Sequence, residues 1–141
     1  LRYEFSPRLM GGTLLCYLPD GRPIIYPKAK IEKVMKFERK QNVITYLNGG
    51  SRRQLWNGLQ LENATQATAA SILRGTLTRL VTGEQDCTVV GHTHDEVINE
   101  VDLDKAQSFA KRLEEVMVEG FDWTDGLPLA AEVDIDWYYH K

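Results

Sequence analysis

Residues 89–101 read VVGHTHDEVINEV. An apolar run ends at Gly91, and four side chains able to bind metals or move protons follow: His92, His94, Asp95 and Glu96. An apolar–polar alternation then resumes at Val97. Runs of this kind on both sides of a short polar break predict two antiparallel strands joined by a tight bend. The reactive residues then sit at the apex, outside any core, on a mount fixed by paired strands. Along a strand Asp95 and Glu96 point to opposite faces, but at a bend both can reach one site. Magnesium favours oxygen ligands, commonly one or two carboxylates plus substrate phosphates, so a loop supplying Asp95, with or without Glu96, would be half of such a site. Zinc is the rival, because His92 and His94 have His-x-His spacing. It needs three or four protein ligands, and the third histidine, His140, lies beside the C-terminus with neither cysteine near in sequence. A polar turn without chemistry has the same spacing.

Working outward, residues 102–120 predict an amphipathic helix. Asp104 serves as its cap, Gly120 as its stop, and Ala106, Phe109, Ala110, Leu113, Val116 and Met117 as its buried stripe. Residues 127–140 alternate in part and predict a last strand. Upstream, the period is helical from Trp56 to Thr82, with Leu61, Ala64, Ile72, Leu73, Leu77 and Leu80 on one or two adjacent faces and Gly83 as the stop. Beside that stripe runs another of Asn63, Gln66, Ala67, Ala70 and Arg74. Amides next to alanines let a ligand approach the backbone closely, although an ordinary exposed helix face looks the same. Further upstream, residues 13–27 predict a hairpin around Pro19-Asp20-Gly21, and residues 34–50 a second one ending at Asn48-Gly49-Gly50. The order of elements is that of an α+β fold, an antiparallel sheet with two main helices on one face. The expected division is a basic hairpin region, 1–55, followed by a second portion, 56–141.

The 141 residues are 43% hydrophobic and 26% charged, enough to bury a core. The net charge of −3 conceals an asymmetry: residues 1–55 hold 11 Lys/Arg against 4 Asp/Glu, and residues 56–141 hold 6 against 16. A basic half can track phosphates and an acidic half can hold cations, although two solvated faces of unlike sign give the same totals. Arg52, Arg53, Lys28 and Lys30 are candidates for phosphate contacts, each also explained as solvated surface. Trp56, Trp123 and Trp137 are expected to pack rather than to stack on bases. Two cysteines far apart, Cys16 and Cys87, point to a reducing compartment. No run is long enough to span a membrane, and no signal-peptide pattern opens the chain. The start at Leu1, without methionine, suits a processed, cloned or truncated piece.

Two stretches taken together carry more than spacing. VVGHTHDEVINEV resembles motif C of the family A DNA polymerases, in which a His-Asp-Glu sits at the hairpin tip of the palm. GGSRRQLWNGLQLENATQATAASILRGTLTRL, residues 49–80, resembles the helix before motif C, and its QATAASIL is similar to the family's Gln-Gly-Thr-Ala-Ala-Asp segment. YLPDGRPIIYP is similar to the small hairpin after the fingers, and LPLAAEVDIDWYYHK to the closing palm strand. The wording is nearest to the phage-type branch, and the resemblance covers most of residues 13–141 in order. It implies a palm-like antiparallel sheet and a two-metal Mg2+ site, with Asp95 as a metal-holding carboxylate, Glu96 as its weaker neighbour and His94 near the primer terminus. It also implies that Gln66, Asn63 and Arg74 face primer–template DNA, with Gln66 and Asn63 near the new pair. Here Asn63 stands three residues before Gln66, where the bacterial enzymes place it four before, and Ser71 replaces a common Asp.

A two-metal mechanism needs carboxylates from at least two places. The family's second aspartate belongs to motif A, and no Asp-Tyr-Ser-like strand occurs before residue 49; the fingers helix that holds the incoming dNTP is absent too. The resemblance therefore implies a C-terminal palm portion, inactive alone. It would work with a partner chain or a missing N-terminal part carrying motif A and the fingers, in the cytoplasm of a bacterial host with a phage or prophage origin. The alternatives are a non-catalytic module that binds nucleic acid or a replisome partner, and a zinc hydrolase.

Overall fold

The computed structural model describes residues 1–36 and 38–139, with the side chain of Lys36 excepted. His140, the third histidine of the zinc reading, lies outside them. The chain divides into two compact units, Leu1–Thr68 and Ala69–Lys141. The division falls inside the long helix α1 (Asn57–Gly83). Among the described residues the fold is α+β, with its strands in three small antiparallel sheets.

The first unit holds two of these sheets, β1 (Arg2–Ser6), β2 (Thr13–Tyr17) and β3 (Pro23–Pro27), then β4 (Lys30–Lys36), β5 (Arg39–Asn48) and β6 (Ser51–Leu55). The β2–β3 turn is closed as its residues dictate: the Leu18 amide donates to Arg22 O at 2.8 Å, and the Asp20 carboxylate accepts from the Arg22 amide at 3.0 Å. Between β5 and β6, Asn48 pairs with Ser51 across a loop of Gly49 and Gly50, both at positive φ (55° and 82°). Two positive φ values in a two-residue loop match the right-handed twist of the flanking strands, and glycine takes them without steric cost. The core of this unit is Cys16, Tyr26, Tyr46 and Leu55, with the two tyrosine rings edge to face at 5.0 Å. Leu59, on the first turns of α1, packs against it. Lys30, Glu32, Thr45 and Arg52 form a polar network across β4, β5 and β6. Lys30 Nζ lies 2.7 Å from Glu32, while the Thr45 hydroxyl donates to Glu32 at 2.8 Å and accepts from Arg52 at 2.9 Å.

The second unit holds the hairpin β7 (Thr88–Thr93) and β8 (Glu96–Glu100) and the helix α2 (Ala106–Val118). Leu80, Phe109, Leu113 and Val116 form its buried core, with Val89, Val97, Val101, Met117 and Val133 packed around them. The stripe read for α2 is therefore its inner face. Asp104 does not cap it; the helix begins two residues later, without a side-chain cap, and Lys105 pairs with Asp86 at 2.6 Å. Gly120, at φ +71°, stops it as expected. On α1, Leu80, Leu73 and Ala64 are buried, but Leu61 is 66% exposed. Residues 127–136 form no strand. Val133 packs inward, so the alternation registered a real apolar contact; alternation cannot supply the backbone partner that a strand needs.

One packing contact fixes a glycine in mid-helix. A Cβ on Gly75 would overlap the Phe121 ring. That ring stacks on Trp123 at 5.5 Å, while the Arg79 guanidinium lies 3.9 Å over it and donates to Gly120 O at 2.6 Å.

Gly75→Ala sets two effects against each other: helix propensity favours alanine by about 1 kcal/mol, whereas overpacking a held ring costs about 1–3 kcal/mol. We expect net destabilisation in a urea titration, and a gain in stability would contradict the packing described. Glu32 gives a second test. Its bond to Lys30, and then that to Thr45, hold its carboxyl below the ordinary value of 4.5. A carboxyl depressed in the folded state stabilises fully above its unfolded pKa, and this contribution fades as pH falls through the folded value. Carboxyl-carbon NMR should place the Glu32 midpoint below 4.5 and move it upward in Lys30→Ala; an ordinary midpoint in the wild-type chain would remove the network.

Candidate functional site

The β7–β8 hairpin closes with Thr93 opposite Glu96, leaving His94 and Asp95 as the loop. His94 takes φ +53°, a left-handed conformation that costs a non-glycine residue about 1–2 kcal/mol. A slip in register between Val89 and Gly91 adds a bulge near the start of β7, and bulges increase local twist. His92, His94, Asp95 and Glu96 are all exposed. The apex thus carries its reactive side chains outside the core, as the sequence indicates. Glu96 accepts a hydrogen bond from the Tyr139 hydroxyl at 3.2 Å. Partial desolvation, then the bond to Glu96 and its charge, keep that phenol above its ordinary value of 10.0.

Among the described residues no three His, Cys, Asp or Glu side chains gather where they could hold a metal ion. Asp95 and Glu96 have the oxygen chemistry that suits magnesium as part of a larger set. His92 and His94 are joined by no third ligand among the described residues, so a zinc centre has no complete donor set there.

The other candidates fall on α1. Asn63 and Gln66 line a cleft of about 660 Å³ in the first unit, together with Tyr26, Tyr46 and Ala67. Asn63 Nδ2 donates to the Tyr26 hydroxyl oxygen at 3.2 Å. Burial, the larger influence, raises the Tyr26 pKa above its ordinary 10.0 against the opposing effect of the Asn63 bond, so the hydroxyl keeps its proton. Gln66 is exposed, with its amide 3.4 Å from Glu62. The cleft therefore presents amide and hydroxyl donors on an aromatic floor, a surface suited to acceptors arriving on a flat ligand. Arg74 is exposed two turns further along α1, in the second unit, and does not line this cleft. Sequence reasoning missed Tyr26 and Tyr139. Tyr26 lies 37 residues from Asn63 and Tyr139 lies 43 from Glu96, and no local pattern signals such pairs. Cys16 and Cys87 are both free thiols, and no described helix is long and apolar enough to cross a membrane.

No protein-family profile matches the chain, and no solved structure matches it. Among curated proteins it is 34% identical over 135 residues to a protein named DNA polymerase from Bacillus phage SP02. The match takes in 92% of this chain and 20% of the phage protein. The chain therefore spans about a fifth of that relative's length, and nearly all of it is similar to one stretch of a phage DNA polymerase.

Proposed function

We propose that this chain is the C-terminal palm portion of a family A DNA polymerase of phage type and contributes to nucleotidyl transfer onto a primer 3′ end. The observation that carries the reading is the likeness of nearly the whole chain to a fifth of a phage DNA polymerase. Support comes from the two exposed carboxylates at the hairpin apex, Asp95 and Glu96, and from the amides lining the cleft on α1.

In this reading Asp95, with Glu96 beside it, holds Mg2+ jointly with an aspartate of motif A. That aspartate, the fingers and the dNTP contacts come from the rest of a longer polypeptide or from a partner chain. The bound ions supply charge neutralisation and in-line orientation of the phosphoryl group. His94 stands next to Asp95 and lies by the primer terminus. Tyr139 holds Glu96 by its hydroxyl and so limits the directions its carboxylate can take. Gln66 and Asn63 donate to the minor-groove acceptors of the primer–template, and Arg74 meets its backbone. Those acceptors occur on every correct base pair, so amide donors test geometry without reading sequence. Chemistry on DNA in replication, with free thiols, belongs in the cytoplasm of a bacterial host.

The test is primer extension by the complete polymerase that contains this chain. Asp95→Ala should lower kcat by about 10²-fold or more, as loss of a transition-state charge stabiliser does, with the far-UV CD spectrum unchanged. Gln66→Ala should chiefly weaken primer–template binding. Extension left intact by Asp95→Ala would sink the catalytic assignment, and loss of DNA affinity alone in Gln66→Ala would then leave a binding module.

A further inference from the structure

A second cleft of the first unit, about 450 Å³, lies where β5 and β6 meet the start of α1. It is lined by Trp56 and by five amides, Gln41, Asn42, Gln54, Asn57 and Gln60. None of its lining residues is acidic. Trp56 is 55% exposed, against the expectation that it packs inside. Its indole is nevertheless seated: a Cβ on Gly58 would overlap the ring's six-membered edge, so the ring lies back over the first turn of the helix. Glycine is a poor helix former, and what it provides in this first turn is room for the indole. A large flat ring that lies against the helix and is more than half exposed offers a stacking surface.

We propose that the Trp56 cleft binds the unpaired strand of a nucleic acid, with one base stacked on the indole and its edge met by the amides. Base edges present donors and acceptors together, and a side-chain amide carries both. A sugar ring would also stack on tryptophan among amides, but the surrounding charge selects a phosphate-bearing ligand. Lys33 is paired opposite Asn42, Lys40 stands two residues before Asn42 on β5, and Arg53 two before Leu55 on β6, so all three share the face of Asn42, Ile44 and Leu55, and all three are exposed. Aromatic platforms flanked by cations are the general way proteins hold single strands without reading their sequence. This site lies in the unit that does not contain Asp95 and needs neither a metal nor catalysis, so it is independent of the polymerase reading.

The test uses the chain as it stands and a fluorescein-labelled oligothymidylate of roughly 12 nucleotides. An abasic strand of equal length carries the same phosphates without bases. The wild-type chain should bind thymidylate about tenfold more tightly than the abasic strand, and Trp56→Ala should abolish that difference. Gly58→Ala keeps the indole but displaces it, and should weaken thymidylate binding similarly while leaving the abasic strand unaffected. If Trp56→Ala disturbs the CD spectrum, Gly58→Ala alone decides. No binding, equal affinity for both strands, or an unchanged Kd in a folded variant would each overturn the proposal.

Discussion

The tightness of one hairpin loop governs what the second unit can present. With Thr93 paired to Glu96, two residues must reverse the chain, and His94 takes the left-handed conformation to do so. A two-residue loop has no length to fold back on itself, so the side chains of His94, Asp95 and Glu96 project from the apex. The strain is affordable because both strands behind the loop are anchored: Val89 on β7 and Val97 on β8 pack against the core formed by Leu80, Phe109, Leu113 and Val116. A longer loop would relieve His94 and lose the fixed placement of the carboxylates. Rigidity at the apex is thus obtained from apolar contacts away from it, the usual relation between a core and a site on its rim.

Helix α1 is built for two environments. Its first part contributes Leu59 to the tyrosine core of the first unit, and its last turns contribute Leu80 to the core of the second. Between them the sequence is rich in small residues, and a buried Ser71 and Thr76 take places where larger apolar side chains would be usual. Both helix glycines discussed above follow one rule. Gly58 and Gly75 each give up helix propensity because an aromatic ring, Trp56 or Phe121, occupies the volume a Cβ would need. Their cost is local and small, and it is offset by apolar area that an alanine would keep apart.

What the sequence revealed follows from the range of the interactions concerned. The apex at 94–95, both helices, the Pro19-Asp20-Gly21 turn and the Gly120 stop were legible because each depends on neighbours within a few residues. The stripe of α2 was legible because its period is a local property. The expected single sheet and the strand over 127–140 were not realised among the described residues. Strand pairing is a long-range choice, and alternation over 127–136 reports which residues turn inward, not whether a backbone partner exists. Strand β1 was missed because Arg2–Ser6 is mostly polar or exposed and pairs with β2 through its backbone. The bonds Asn63–Tyr26 and Glu96–Tyr139 were invisible for the same reason of distance. Trp56 is more than half exposed, which composition does not foretell, and only Gly58, two positions later, signals the room its indole takes.

The charge asymmetry becomes more specific once the units are known. Residues 1–68 hold 11 Lys/Arg against 5 Asp/Glu, and residues 69–141 hold 6 against 15. The first unit is +6 and the second −9. A polyanion is drawn to the first and repelled by the second, most strongly at an apex with two adjacent carboxylates. If that apex works on DNA, its own charge must be neutralised before a phosphate can come close. A divalent cation does this at the one point required, whereas a lysine in place of Asp95 would remove the repulsion but also the means of holding the ion. The carboxylates in the acidic unit and the amide- and aromatic-lined clefts in the basic one then stand for separate tasks. On the proposed reading, the first unit would bind the strand through bases and phosphates, and the second would accept phosphate only through a cation.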